Sequence, residues 1–533
     1  MPVPDARPEP AGSELGRPDL SATHIVRFTR RTSRRYNRAR SSGRDLFVDL
    51  YSNVLAVVCA AMIAGSLVIA LREEIVDRGS LDGGLVDDRW QVLPAGMLWV
   101  LLTYLALVGI HVLARRLGPV TVSRAEAAWW LPLPVDRRAM VLPSFLRRAL
   151  GLGVGAGIAF VPFSILTATD NSVAAHLSSA AGFGAASVIA LAAAAFQQAD
   201  HTSARRSRAA ALLTFVPLAL LTSFPAPGAP QPAMLLIPVL LPMIVAVLLV
   251  ARVMGRIGRI PGVELARGGA VSGHVGAALF FLDANELQRA LAREPVRGRN
   301  QRAGRFYARP TRSAFAGLVR ADVVAFVRLR SAPVAPLIWL GVCLGVVLAD
   351  DALPALLQLA VIVLAGCATA AGSGTVVRRT AMIPELDALL PLSSSLVTTS
   401  RLLMPTLASA LWMTALTGIL GALGPAGEQL MILGFLAGIG MGAGTVRAGT
   451  RPATDWTTPP VETPFGPVPR DQISSLLRGT DVTILAMLPT LLTLYLGAVH
   501  PWLILVQGIV SLVSVLVVVA GSPMGSSVSQ ARS

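Results

Sequence analysis

The sequence predicts an all-α, polytopic integral membrane protein, with about twelve transmembrane helices arranged as two six-helix halves. Three observations carry this. First, of 533 residues 53% are apolar and only 14% are charged, with a mean hydropathy of +0.63, whereas a soluble chain carries roughly 25% charged residues. Second, apolar stretches of the length needed to cross roughly 30 Å of hydrocarbon recur along the whole chain. Third, arginine is concentrated in alternate loops, the pattern expected when one set of loops stays in the cytoplasm.

In order, residues 1–49 form an arm with ten Arg, among them Arg30, Arg31, Arg34, Arg35, Arg38 and Arg40. No early apolar segment with a small-residue cleavage site stands in this arm, so no cleavable signal peptide is expected. The first half, 50–253, holds apolar stretches at 50–71, 93–114, 149–168, 174–196, 209–223 and 233–253. The fifth is the shortest, being cut by Pro217 and Pro225. A connecting segment, 254–331, with fifteen Arg from Arg252 to Arg330 on and beside it, is expected to be cytoplasmic and to carry interfacial helices. In it Asp283-x-x-Glu286 reads as a capping box ahead of Leu287, Ala290 and Leu291. The second half, 332–520, has stretches at 332–349, 353–374, 403–423, 429–446, 481–499 and 501–520, and 521–533 is a tail. With the pair around Pro501 read as a hairpin or re-entrant element, the count falls toward ten.

Of 46 basic residues, all are Arg, and 43 fall on one set of loops together with both termini. The other loops hold only Arg72, Arg78 and Arg89 against ten carboxylates, including Glu73, Glu74, Asp87, Asp88, Asp350, Asp351 and Glu428. Both termini are therefore expected in the cytoplasm, and the net charge of +16 is mainly a topology signal rather than a sign of nucleic-acid binding. Without a single Lys the chain can hold neither a Walker A lysine nor a Schiff base. Its six His are scattered, with no metal-ligand spacing and no Gly-x-Ser-x-Gly turn, so no enzyme chemistry, metal site or cofactor is expected in this chain. Cys59, Cys343 and Cys367 lie in apolar stretches and read as packing residues.

The halves can be laid over each other at an offset of 259, which brings Glu126-x4-Leu131-Pro132-Leu133 onto Glu385-x4-Leu390-Pro391-Leu392, each after the second span of its half. Two such repeats in the same orientation enclose a central path. The first copy is richer, with Glu126, Trp129, Trp130, Pro132, Pro134, Asp136, Arg137 and Arg138. It reads equally as a set of headgroup anchors, Trp and Arg at the membrane boundary, and as a turn that a partner protein can grip.

Leu131-Pro-x-Pro-Val-Asp-Arg-Arg138 is similar to the signature that follows the second span in ABC exporter permeases of the ABC-2 type. Leu318-Val-Arg-Ala-Asp322 through Arg328-Leu-Arg-Ser-Ala-Pro333 is similar to the interfacial helix that leads into their first span. The whole chain resembles fused, twelve-span permeases of high-GC Gram-positive bacteria. This resemblance implies a bacterial cell-membrane location and one or more separate ABC ATPase subunits, which would bind the ATP. It also implies a coupling loop built from Glu126 to Arg138, a second-half counterpart with Glu385, Leu390 and Pro391, and an interfacial helix with Arg320, Asp322 and Arg328. The second copy departs from the pattern, with Ser393-Ser394-Ser395 in place of Pro-Val-Asp.

The span cores contain no Asp, Glu or Arg, which disfavours ion coupling and favours a hydrophobic or lipid-like substrate. Gln358, Gln507, His111 and His176 read as helix-to-helix hydrogen bonds. Gly151-x-Gly153-x-Gly155-x-Gly157 and Gly438-x-Gly440-x-Gly442-x-Gly444 lie inside apolar helices and read as close-packing faces rather than phosphate loops. A major-facilitator-like secondary transporter shares the span count, the termini and the long central loop, and a non-transporting membrane scaffold is a third class.

Overall fold

The computed structural model describes residues 22–40, 61–70, 85–133 except 87, 136–167, 172–199, 204–223, 232–280, 284–291, 305–306, 310–349 except 330, 354–425 except 384, 386 and 388, 427–450, 461–463, 466–468 and 479–521, with isolated positions between 47 and 73. Almost all of this is helix. A helix satisfies its own backbone groups, which an apolar chain needs where no water can do so.

The first half comprises α1 (Ala22–Arg40), α2 (Ala61–Ala70), α3 (Ala95–Leu117), α4 (Arg124–Trp130), α5 (Arg138–Thr167), α6 (Val173–Ala199), α7 (Ala204–Ser223) and α8 (Pro232–Arg256). The connector folds as α9 (Gly262–Phe280), α10 (Ala284–Leu291) and α11 (Ala314–Arg328). The second half is α12 (Ser331–Val347), α13 (Ala355–Ser373), α14 (Thr375–Thr380), α15 (Ser394–Leu423), α16 (Leu430–Gly449), α17 (Thr480–Leu496) and α18 (Pro501–Ala520). The all-α expectation meets one exception, a short antiparallel hairpin of β1 (Val461–Thr463) and β2 (Gly466–Val468) in the arginine-bearing loop before α17.

Eight of these helices, α3, α5, α6, α8, α13, α15, α16 and α18, are long and apolar enough to cross a bilayer. The remaining apolar stretches fall on the shorter α2, α7 and α17 and on α12, which is bent by 63° from α11. Pro501 begins α18 at its first turn, where a missing N–H costs nothing, and α17 ends on Gly497 in the left-handed region at φ 67°. The pair is thus two helices joined by a tight turn.

Each half is built around one central helix. α6 packs against α3, α5, α7 and α8, and α16 packs against α13, α15, α17 and α18, the elements in the same order. The offset of 259 carries Ala95, where α3 begins, to 354, one residue before α13. The parallel extends to a helix ahead of each half, since α1 packs on α5 and α11 on α15.

Glycine lets the central helices approach. On α5, an added Cβ at Gly153 would lie 2.9 Å from the Val188 side chain, and one at Gly157 3.0 Å from the Ala180 carbonyl, both on α6. On α16 the two-residue spacing serves two neighbours. Gly438 and Gly442 abut α15 at Ala410 and Thr406, whereas Gly440 and Gly444 abut α17 at Ala486 and Thr483. The α16 stripe is thus a packing face on both sides, whereas on α5 only Gly153 and Gly157 pack and the expected roles of Gly151 and Gly155 fail, since a Cβ there would meet nothing within 4 Å.

The polar residues within the spans pair between helices. His111 Nδ1 lies 3.0 Å from the Ala190 carbonyl, and Ser164 Oγ lies 2.9 Å from His176 Nδ1. Gln507 donates to the Ala486 carbonyl at 2.8 Å and accepts from Thr490 at 3.1 Å. Gln358 departs from this pattern: it accepts the N–H of Leu85, in the loop ahead of α3, at 3.3 Å, and so joins the halves. The halves also meet where Leu93 donates to the Leu348 carbonyl at 3.0 Å and where Leu98 and Trp99 pack with Val346 and Ala349. This junction lies at the N-terminal end of α3, opposite the arginine-rich end of the bundle.

Candidate functional site

At the arginine-rich end of the first half, α3 finishes with Arg115 and Arg116 and turns on Gly118, whose φ of 75° favours glycine. The chain then runs extended against α9. Gly268 and Gly269 make room for it, since a Cβ at Gly268 would lie 2.6 Å from Thr121. Val122 donates to the Leu265 carbonyl at 3.3 Å. The Gln198 amide brackets Val120, accepting its N–H at 3.2 Å and donating to its carbonyl at 3.1 Å.

Ser123 then caps α4. The Glu126 N–H donates to Ser123 Oγ at 3.2 Å and the Ser123 N–H to Glu126 Oε2 at 2.9 Å, a reciprocal capping box. Glu126 is therefore engaged in its own helix. Ser123→Ala is expected to cost about 1 kcal/mol, read as a lower apparent unfolding temperature in detergent; an unchanged temperature would mean that Trp130 packing alone holds α4.

Asp136 and the two arginines after it anchor the next turn. Asp136 Oδ1 accepts the Arg138 N–H at 3.0 Å, and the Arg138 guanidinium donates to the Gly255 carbonyl at the end of α8 at 2.9 Å. An added Cβ at Gly262 would stand 3.7 Å from the Arg137 guanidinium and 3.6 Å from Leu131, so these two cover the start of α9. Pro134 lies outside the described residues. Asp136 and Arg138 stay exposed while making these bonds, as does Arg124, and between them an apolar edge faces outward: Trp129 is 77% exposed, and Pro132 and Leu133 are exposed beside it. Trp130 instead packs on the core of this half.

The matching loop of the second half, 376–402, contains no tryptophan. Glu385 and Pro391 are exposed and Leu390 is half-buried. Ser393 caps α15, with the Leu396 N–H 3.4 Å from its Oγ. The tight element here is a three-part ion cluster. Arg401 of α15 pairs through Nη1 with Asp322 of α11 and through Nη2 with Asp387 at 2.9 Å. Asp322 and Arg401 are both buried. Burial raises the Asp322 carboxyl to about 6, Arg401 pulling against this and Asp387 adding to it. Arg320 stacks over the Phe306 ring at 4.0 Å, and Arg328 is exposed.

Nearby, Arg378 of α14 is buried and donates to the Ala371 carbonyl, and burial pushes its pKa down to about 10, with Arg289 of α10 a further like charge. Arg289 of the connector thus stands near this end of the second half. The Asp283 half of the expected capping box on α10 lies outside the described residues. Arg401, Asp387, Arg378 and Gln198 were not among the expected site residues.

The fold and this arrangement define a polytopic helical membrane protein with a folded, arginine-rich end. The chain belongs to a family of unknown function, DUF6297, whose family model matches residues 93–459, from the start of α3 to past α16. No curated protein and no solved structure matches the chain.

Proposed function

We propose that the chain is the membrane-spanning permease subunit of an ABC-type exporter, with ATP bound and hydrolysed by a separate ATPase subunit. In this reading it crosses the bacterial cell membrane twelve times, with both termini and the arginine-rich end in the cytoplasm. The span count takes α2, α7, α12 and α17 with the eight longer helices, and the orientation follows the arginine distribution. A hydrophobic or lipid-like molecule is the substrate. The two halves form the path.

One observation carries the reading above the others. The segment between the second and third spans of the first half is a capped, tethered element that leaves Trp129, Pro132 and Leu133 outward. Trp is the residue most enriched at the centres of protein interfaces. The resemblance to the ABC-2 coupling loop supports the same assignment. Asp136, Arg137 and Arg138 then shape the loop, and the apolar edge makes the contact.

The test is co-expression with neighbouring open reading frames followed by a pull-down. A Walker-containing subunit is expected to come down with the wild type and to be lost from Trp129→Ala combined with Leu133→Ser, while the permease itself stays monodisperse. Failure of any such subunit to co-purify would remove the exporter reading. Export that survives ATP depletion and stops with a protonophore would replace it with a secondary carrier.

A further inference from the structure

Beside α4 lies a cleft of about 640 Å³ that no part of the exporter reading uses. Its walls are α3, α5 and α9, with Arg30 of α1 reaching across. It continues into a second hollow of about 610 Å³ that shares Arg30, Glu126 and Arg147 and runs under Trp129 and Trp130.

The chemistry of the walls is divided. One side is apolar, formed by Ile110 and Leu113 of α3 and by Leu152 and Leu191. The other is cationic, formed by Arg30, Arg147 and Arg148, with Arg34 in the adjoining hollow. Arg30 uses one N–H on the Met140 carbonyl at 3.1 Å and Arg147 one on the Pro143 carbonyl at 3.2 Å, and a guanidinium has five. Glu126 is the one carboxylate among the described residues on the lining, and it already accepts the Ser123 N–H. The Thr121 hydroxyl on the same lining is 3% exposed and has no hydrogen-bond partner among the described residues.

Position matters as much as charge. α5 is 30 residues long, and about 20 suffice to cross the hydrocarbon. Arg147 and Arg148, one third of the way along it, therefore stand where headgroups lie. Next to them α5 turns an open face outward, since a Cβ at Gly151 or Gly155 would meet nothing within 4 Å.

We propose that this cleft holds an anionic phospholipid, its phosphate between Arg30, Arg147 and Arg148 and an acyl chain along Ile110, Leu113 and Leu152. The paired cationic and apolar walls fit a molecule with both parts, and a zwitterionic lipid lacks the net charge that two or more arginines facing one carboxylate call for. The inference depends on the membrane setting alone and not on an ATPase partner.

The test uses the full chain, delipidated in detergent and titrated with dioleoylphosphatidylglycerol, dioleoylphosphatidylcholine or glycerol 3-phosphate, with thermal unfolding and native mass spectrometry as readouts. Phosphatidylglycerol is expected to bind and raise the unfolding temperature, phosphatidylcholine much less. Combined Arg147→Gln and Arg148→Gln is expected to weaken phosphatidylglycerol about ten- to hundred-fold, from the loss of charge-assisted hydrogen bonds. Gly273→Phe, at a lining position where a Cβ meets open space, should block the cleft without touching a charge. It decides the matter where the arginine variant does not fold. Equal binding of the two lipids, or phosphatidylglycerol binding unchanged in Gly273→Phe, would overturn the proposal. Glycerol 3-phosphate matching phosphatidylglycerol would overturn it too, leaving a phosphate site with no lipid.

Discussion

Arg401→Ala is expected to destabilise the second half by about 3–5 kcal/mol, the cost of leaving a buried charge without its partner. Arg401 holds three elements at once: its own helix α15, the preceding loop through Asp387, and α11 through Asp322. Removing it leaves Asp322 buried without its partner, with the part-exposed Asp387 carboxylate beside it. A carboxyl held above its ordinary value binds its proton more tightly when folded than when unfolded. The variant should therefore recover stability as pH falls from neutrality through about 6, the Asp322 value in the intact cluster, or higher once Arg401 is gone. Asp322→Leu with Arg401→Met, which removes the two buried charges and leaves only the part-exposed Asp387, should recover much of the loss at neutral pH. Arg328→Ala, on the exposed side of α11, is the control and should change little. Thermal unfolding in detergent across pH reads all three variants against the wild type. A pH-independent loss in Arg401→Ala would mean that its aliphatic stem, and not its charge, holds the helices.

The membrane class and the places of the helices were legible because they follow from properties that add along the chain. Apolar length finds α3, α5, α6, α8, α13, α15, α16 and α18, whereas Pro217, expected to cut the fifth stretch, lies inside the continuous α7, of which only Leu212–Ser223 is apolar. The pairing of His111 and His176 with neighbouring helices was legible too, since a buried polar group needs a partner. What could not be read was which partner. Arg401 meets Asp322 from 79 positions away, and Arg138 meets Gly255 from 117 away, and no local pattern marks either. Glu126 is a different kind of miss. Ser123-x-x-Glu126 is a capping box in plain sequence, yet the charges and tryptophans around it drew the reading toward docking. Tethering turns out to occupy Glu126, Asp136 and Arg138, so a docking role narrows to Trp129, Pro132 and Leu133. The Arg147-Arg148 pair was visible in the sequence, but its cleft exists only once α1 and α9 fold across it.

Gly438→Leu is the second large effect expected, and it separates packing from flexibility as the role of the glycine stripe. A Cβ at this position would stand 2.6 Å from the Ser409 carbonyl and nearer still to the Ala410 backbone. Backbone cannot give way as a side-chain end can, so α15 and α16 must move apart. Overpacking of this kind costs about 1–3 kcal/mol and sometimes more, and α16 is the central helix of its half, so the loss spreads to α13, α17 and α18. The informative comparison is Gly151→Leu on α5, where an added Cβ meets nothing within 4 Å. A glycine kept for helix flexibility would make both substitutions stiffen their helices alike. Glycine kept for close approach makes the first severe and the second nearly silent. Unfolding temperature and monodispersity of the two variants distinguish these outcomes, and equal effects would remove the packing account. The same logic divides the stripe itself, because Gly440 meets the Ala486 side chain at 2.6 Å and not backbone. Gly440→Ala should accordingly be rescued in part by Ala486→Gly, which opens the space from the other side, whereas no substitution at Ala410 can rescue Gly438→Leu.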